Sequence, residues 1–91
     1  MSAAKSATVR ITNKRGLHAR ASAKVVEAAA RFQSEIKMVK DGQAVNARSI
    51  MGLMMLAANL GSTVEVTAEG PDADAALQAI VALAEAKFGE D

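Results

Sequence analysis

Gly16-Leu17-His18-Ala19-Arg20-Ala21-Ser22 is the stretch around which the rest of this chain is organised. Glycine adopts backbone angles that other residues avoid, so Gly16 suits a tight turn, and the alanine-rich sequence that follows favours a helix. His18, the only histidine, is therefore expected at the start of that helix. The unpaired N–H groups and the dipole of a helix N-terminus stabilise an anion, and Arg20 adds a guanidinium suited to phosphate oxygens. The segment indicates a site for a phosphoryl group.

Other roles for a single histidine must be compared with this one. A histidine near a helix end often only caps the helix or lies partly buried. With no cysteine and one histidine, a zinc site built from the usual ligands is not expected. Nothing resembles the nucleophile elbow of a Ser-His-acid triad, and neither a Walker pattern nor G-x-G-x-x-G is present. Two interpretations of His18 remain: its imidazole carries a phosphoryl group covalently, or it only caps the helix.

Two motifs carry a resemblance to a known family. Residues 16–22 resemble the phosphohistidine motif of HPr, the histidine-containing phosphocarrier family of the bacterial phosphoenolpyruvate-dependent phosphotransferase system. Residues 46–56, with the sequence NARSIMGLMML, resemble the regulatory-serine segment of that family, and the spacing from His18 to Ser49 is the family spacing. The resemblance extends from about Thr8 to Phe88. One departure is Ala21, where many members of the family have proline, although alanine also occurs there.

The resemblance implies a phosphoryl carrier that is not an enzyme and needs no cofactor or metal. By that likeness, His18 accepts the group at Nδ1 from phosphorylated enzyme I, and Arg20 stabilises the phosphate. The acceptors are IIA proteins or domains, in sugar uptake or in nitrogen-type regulation. Ser49 is the expected site of regulatory phosphorylation, which brings in a serine kinase and phosphatase as further partners.

Length and composition predict one soluble domain spanning residues 1–91. Half of the residues are apolar, but no apolar run approaches the ~18 residues that a membrane span needs. The first residues, Met1 to Lys5, lack the apolar region of a signal peptide, and no cysteine is available for disulfides. We therefore expect a cytoplasmic monomer that has no contact with a membrane.

Charge is distributed unevenly along the chain. Residues 1–50 hold ten Lys or Arg and three Asp or Glu, whereas residues 51–91 hold one Lys and seven Asp or Glu. A basic half suits nucleic acid, an acidic protein surface or a phosphorylated group. Nucleic acid is not expected, because no aromatic residues are interleaved with the basic ones. Two alternatives to the carrier stay open: a regulatory binding module that is not phosphorylated at His18, and an anion- or nucleic-acid-binding domain.

The hydrophobic pattern predicts the order β-α-β-β-α-β-α. Alternating stretches indicate strands over 7–11, 34–40, 43–46 and 62–68, and Asp41-Gly42 is a hairpin signal. Helices are expected after Gly16, over 48–56 and after Pro71. This order predicts an α+β two-layer sandwich. HPr-like proteins have such an open-faced sandwich, a four-stranded antiparallel sheet with three helices on one face.

Apolar spacing also predicts which helix faces are buried. The first helix is expected to bury Ala19, Ala23, Val26 and Ala30. The last helix, ended by Gly89, is expected to bury Leu77, Ile80, Val81, Ala84 and Phe88.

The methionine-rich segment is apolar on every side, so not all of it fits a small core. Methionine is usually a filler of core gaps, yet flexible thioethers also suit a surface that meets several partners. We expect Leu53 and Leu56 to point inward. A docking patch is expected from Ile50, Met51, Met54 and Met55, with Ala19 beside His18.

Overall fold

A computed structural model of the protein describes residues 4–90. The elements are β1 (Lys5–Arg10), α1 (Ala19–Ala29), β2 (Glu35–Lys40), β3 (Gln43–Asn46), α2 (Ile50–Met55), β4 (Thr63–Glu69) and α3 (Ala73–Glu85), followed by a 3₁₀ turn over Lys87–Gly89. This is the predicted order. The expectation that no signal peptide is present rests mainly on residues 1–3, which lie outside the described residues.

The four strands form one sheet in the order β1-β4-β2-β3, and every neighbouring pair is antiparallel. The β2–β3 hairpin turns at Asp41 and Gly42, whose φ angles are 52° and 80°. Two successive positive φ values are typical of the tight turn that matches the twist of a hairpin. The hairpin and the antiparallel sheet predicted from the sequence are both confirmed.

Only one face of the sheet is buried. Strand residues alternate between buried and exposed positions, and the buried set comprises Val9, Ile36, Met38, Val64, Val66 and Ala68. The helices cover this face and contribute Val25, Leu53 and Ile80, with Phe88 from the 3₁₀ turn. The result is the open-faced two-layer sandwich that the sequence predicted, with the chain's apolar surface concentrated between its layers.

The predicted buried face of α1 is wrong by about one residue. Ala19, Ala23 and Ala30 are exposed and Val26 is half-buried, whereas the buried set is Ala21, Ser22, Val25, Ala28 and Ala29. One residue corresponds to a rotation of ~100°. Alanines occur around the whole helix, so their spacing does not identify one face. The larger Val25 and the anchored start of the helix set its rotation instead.

The predicted end of the last helix is also wrong. α3 ends at Glu85, and Lys87, Phe88 and Gly89 all have positive φ angles, of 57°, 56° and 76°. Phe88 is fully buried, as predicted, but from this left-handed turn. Ile80 and Ala84 are buried within α3, while Leu77 and Val81 are half-buried. Burial of the Phe88 ring holds the turn against the core.

The three helices contain 11, 6 and 13 residues. Over residues 4–90, no helix has both the length and the apolar character needed to cross a membrane.

Candidate functional site

His18 caps the N-terminus of α1, as its place in the sequence predicted. Its backbone is extended, with φ −74° and ψ −176°, and its Nδ1 accepts a hydrogen bond of 3.2 Å from the backbone N–H of Arg20. The His18 carbonyl accepts from the N–H of Ser22 at 2.8 Å, which closes the first turn. The imidazole therefore lies where the free N–H groups of the helix point outward.

The turn before His18 is fixed by close contact with a neighbouring segment. Gly16 has φ +64°, and a Cβ at this position would lie 2.3 Å from the carbonyl oxygen of Ala58. The same carbonyl accepts from the N–H of Leu17 at 2.9 Å. Only glycine fits both the backbone angle and the space. The close approach holds the entry to α1, and with it the position of His18.

Glu90 supplies the second partner of the imidazole. The two oxygens of its carboxylate lie 2.7 and 2.9 Å from Nε2 of His18, and both side chains are only 16% exposed. Asn13 Nδ2 donates to Glu90 at 3.1 Å and to the carbonyl of Gly16 at 2.8 Å. The C-terminal turn is thereby tied to the turn that precedes α1.

These contacts select one form of the neutral imidazole. Nδ1 accepts a hydrogen bond from a backbone N–H, so it has a lone pair and no proton. The ionised carboxylate of Glu90 can only accept hydrogen bonds, so Nε2 must be the donor. The ring proton is therefore assigned to Nε2 from its partners. Nδ1 is left as the nucleophilic nitrogen, at the end of the ring that faces the helix N-terminus.

Three cationic side chains lie beside Glu90. Lys14, Arg15 and Arg20 line a surface recess of about 390 Å³ together with Gly89 and Glu90. Hydrogen bonding from His18 holds the pKa of Glu90 below its ordinary value. Burial of the carboxylate opposes that shift, while a hydrogen bond from Asn13 and the electrostatic effect of the nearby His18 and Arg20 side chains add to it. The recess combines guanidinium and ammonium groups with an ionised carboxylate.

The second motif lies at the start of α2. Ser49 is the N-cap, and its Oγ accepts from the N–H of Gly52 at 3.0 Å. The neighbouring Arg48 donates to the carbonyls of Ala29 and Phe32 near the end of α1. Ser49 is half-buried and sits at a helix start, as predicted, while Arg48 joins α2 to α1.

The methionine-rich segment divides as the sequence predicted. Leu53 and Leu56 are buried, whereas the exposed fractions of Ile50, Met51, Met54 and Met55 are 41%, 73%, 46% and 67%. Ala19 is also exposed. We call Ala19, Ile50, Met51, Met54 and Met55 the apolar patch. Its exposure is established, and its role in docking stays a prediction.

Sequence analysis missed three contributors to the site. Glu90 lies 72 residues from its partner His18 in the chain. Lys24 Nζ donates to the Phe88 carbonyl at 2.8 Å. Asn13 links Glu90 to the turn that precedes α1. No local pattern identifies such long-range partners. The one available signal was the pair Gly89-Glu90, in which a residue typical of turns is followed by an acidic residue. Between residues 4 and 90, no cluster of three or more His, Asp or Glu side chains could hold a metal ion.

Comparison with known proteins identifies close relatives over nearly the whole chain. The family model described as the PTS HPr component phosphorylation site matches residues 5–86. The phosphocarrier protein HPr of Cupriavidus necator is 54% identical over 80 residues, which cover 88% of this chain and 90% of that protein. The phosphocarrier protein NPr of Shewanella violacea is 48% identical over 82 residues, 90% of each chain. The crystal structure of HPr-C-His from Thermoanaerobacter tengcongensis has a TM-score of 0.91 and 48% identity, and the match covers 96% of this chain and 98% of that one.

Proposed function

The chain belongs to the HPr family of phosphocarrier proteins, and from that membership we propose that it carries a phosphoryl group on Nδ1 of His18. The observation that carries this proposal is the fixed imidazole at the start of α1. Its Nδ1 accepts only a backbone N–H, and its Nε2 is bound to Glu90. The nucleophilic nitrogen is thus presented at a helix N-terminus, where a dianionic group is stabilised.

The carrier needs little chemistry of its own. In the transfer, the Nδ1 lone pair forms the bond to phosphorus while the bond to the donor breaks and its electron pair stays with the donor. Phosphoryl transfer depends chiefly on alignment and on charge stabilisation. Arg20 and the first N–H groups of α1 supply the positive charge beside the equatorial oxygens, and docking of two proteins supplies the in-line geometry.

The donor in this proposal is phosphorylated enzyme I, and the acceptors are IIA proteins or domains. Four of the five residues of the apolar patch follow Ser49 in the same motif, and Lys14, Arg15 and Arg20 line the recess beside Glu90, the partner of His18. A partner with an apolar centre and carboxylates at its rim fits these features. Relatives are phosphocarriers of both the HPr and the NPr kind, so the role covers sugar uptake, nitrogen-type regulation or both. The protein acts here as a cytoplasmic monomer without a cofactor.

Ser49 is the proposed site of regulation by a serine kinase and phosphatase. Its hydroxyl oxygen caps α2, and the exposed side chains of Ile50 and Met51 follow it directly. A phosphate on Ser49 would lie beside the apolar patch, the proposed docking surface, and would leave His18 chemically unchanged. Regulation would therefore act on docking.

Labelling by enzyme I and phosphoenolpyruvate tests the proposal. We expect one acid-labile phosphate on the wild-type protein and none on His18→Ala. Arg20→Ala should slow transfer about tenfold to a hundredfold, because a hydrogen bond to a charged group contributes roughly 1.5–3 kcal/mol. Arg10→Ala removes an equally charged, exposed side chain from β1 and is the matched control. Label that persists in His18→Ala, or equal slowing by both arginine variants, would refute the assignment.

A further inference from the structure

The methionines of the described chain are divided sharply between surface and core. Within residues 4–90, Met51, Met54 and Met55 all belong to α2 and are exposed, whereas Met38 in β2 is fully buried. The chain has no cysteine, tryptophan or tyrosine. Among the described residues, the sulfur-containing side chains that an oxidant in water can reach therefore lie on α2.

Neither the stability of α2 nor the packing of the core accounts for three thioethers at these positions. Ser49 caps the helix, and Leu53 is its fully buried residue. Met51 and Met55 are one turn apart and share the side of the helix opposite Leu53, while Met54 lies between the two sides and is the least exposed of the three. Leucine would supply an equally apolar surface, but it cannot be oxidised under mild conditions. Sulfur on this surface thus adds a reactivity that docking itself does not require.

We propose that the three methionines of α2 form an oxidation site for hydroperoxides, and that their oxidation prevents docking. This inference rests on the proposed function, because it requires that the apolar patch meet enzyme I. A sulfur lone pair attacks one peroxide oxygen, the O–O bond breaks, and the other oxygen leaves as water or an alcohol. The sulfur is oxidised by two electrons to a sulfoxide, and the peroxide is reduced. A methionine sulfoxide reductase reverses the change, since two thiols become a disulfide and the oxygen leaves as water.

A sulfoxide weakens docking because it makes an apolar side chain polar. Its oxygen is hydrated in the free protein and loses that water when an apolar partner surface covers it. The other members of the patch, Ala19 and Ile50, have no side-chain donor that could replace the lost hydrogen bonds. We expect affinity to fall about tenfold or more. The fold is retained, since the modified side chains already face water and Leu53 is untouched.

The test measures binding of enzyme I by calorimetry before and after treatment with dilute hydrogen peroxide. Oxidised positions are mapped by mass spectrometry, and melting is followed by circular dichroism. The methionines of α2 should each gain one oxygen before Met38 does, and affinity should fall about tenfold or more at an unchanged melting temperature. Incubation with sulfoxide reductases for both epimers and a dithiol should restore the affinity.

Two variants separate α2 from the rest of the chain, and each is compared with itself before and after oxidation. The triple variant Met51→Leu, Met54→Leu and Met55→Leu has no sulfur on α2, so peroxide should change its affinity by less than about twofold. Met38→Leu is the matched control and should remain as sensitive to peroxide as the wild type.

Three results would overturn the oxidation site while leaving the carrier function intact. These are full affinity of the oxidised wild type, an equal loss in the triple variant, and a loss of affinity that only follows a fall in melting temperature. An unoxidised wild type that neither binds enzyme I nor takes label from it would instead refute the proposed function, and this inference with it.

Discussion

Phosphorylation of Ser49 should leave the fold unchanged. Ser49 Oγ accepts from the N–H of Gly52 at 3.0 Å, and phosphate oxygens at the same N-cap are strong acceptors for the first N–H groups of α2. Phosphoserine carries about −1.5 to −2 charges, and an anion at a helix N-terminus gains roughly 0.3–1 kcal/mol. The melting temperature should therefore stay the same or rise slightly.

The same phosphate should weaken docking. A nearly divalent charge ~6 Å from one carboxylate of a partner costs roughly 1–3 kcal/mol at an effective dielectric of ~40–80. The charge also adjoins Ile50 and Met51, both exposed, and brings water to an apolar contact. The gain at the helix N-terminus is the same in the free and the bound protein, so it does not offset this repulsion, and affinity for enzyme I should fall about tenfold or more.

The assay measures binding of enzyme I by calorimetry and melting by circular dichroism. Phosphorylated protein, Ser49→Asp and Ser49→Ala are compared at low and high salt. Ser49→Asp carries less charge and should show a smaller loss, and part of each loss should disappear at high salt. Wild-type affinity for the phosphorylated protein would refute the reasoning. A loss of affinity that only follows a fall in melting temperature would also refute it.

Three further predictions concern stability and are checked by urea unfolding. Gly16→Ala should destabilise the protein by at least about 2 kcal/mol. Gly61 also has a positive φ but has open space around it, so Gly61→Ala should cost only about 1–2 kcal/mol. Equal losses in the two variants would show that the crowding at Gly16 relaxes. Leu53→Ala should lower the free energy of unfolding by about 2–5 kcal/mol. Met51→Asp should change it by less than about 0.5 kcal/mol and yet weaken binding of donor and acceptor. Unfolding of the Met51 variant would place that residue in the core. Hydrogen bonds from a serine hydroxyl and from backbone N–H groups lower the pKa of Asp72 from 3.8, so its stabilisation is complete above that value and is lost as the pH falls through the lower pKa of the folded state. Asp72→Asn should therefore flatten the acid limb of the stability curve, and an unchanged limb would contradict this origin.

Local sequence signals predicted much of the fold and the position of His18 at the start of a helix. Alternation of apolar residues identified the strands, Asp41-Gly42 identified the hairpin, and Gly16 placed His18 at a helix start. The division between buried Leu53 and the exposed methionines followed from the small size of the core. Each of these features depends on residues close together in the chain, where backbone preferences and periodicity act directly.

Features that depend on distant parts of the chain were not predicted. The rotation of α1 was misjudged because alanines around the whole helix give a weak apolar stripe, and the anchored N-cap and Val25 decide the buried face. Glu90 was missed because the left-handed turn at Lys87 and Phe88 is stabilised by core packing, which no local propensity encodes. A residue with a side chain is strained at a φ angle of +56°, because its β-carbon approaches the backbone carbonyl too closely. Only the folded core makes that conformation the stable one.

Identifying which nitrogen of His18 bears the proposed phosphoryl group tests the proposed function most directly. Protein labelled with ¹⁵N is phosphorylated through enzyme I, and the imidazole nitrogens of His18 are observed by NMR together with their coupling to phosphorus. Because Nε2 is bound to Glu90 and Nδ1 faces the start of α1, we predict that the phosphorus couples to Nδ1 and that the proton remains on Nε2. Phosphorus bonded to Nε2, or an unmodified His18 ring in a phosphorylated protein, would contradict the account.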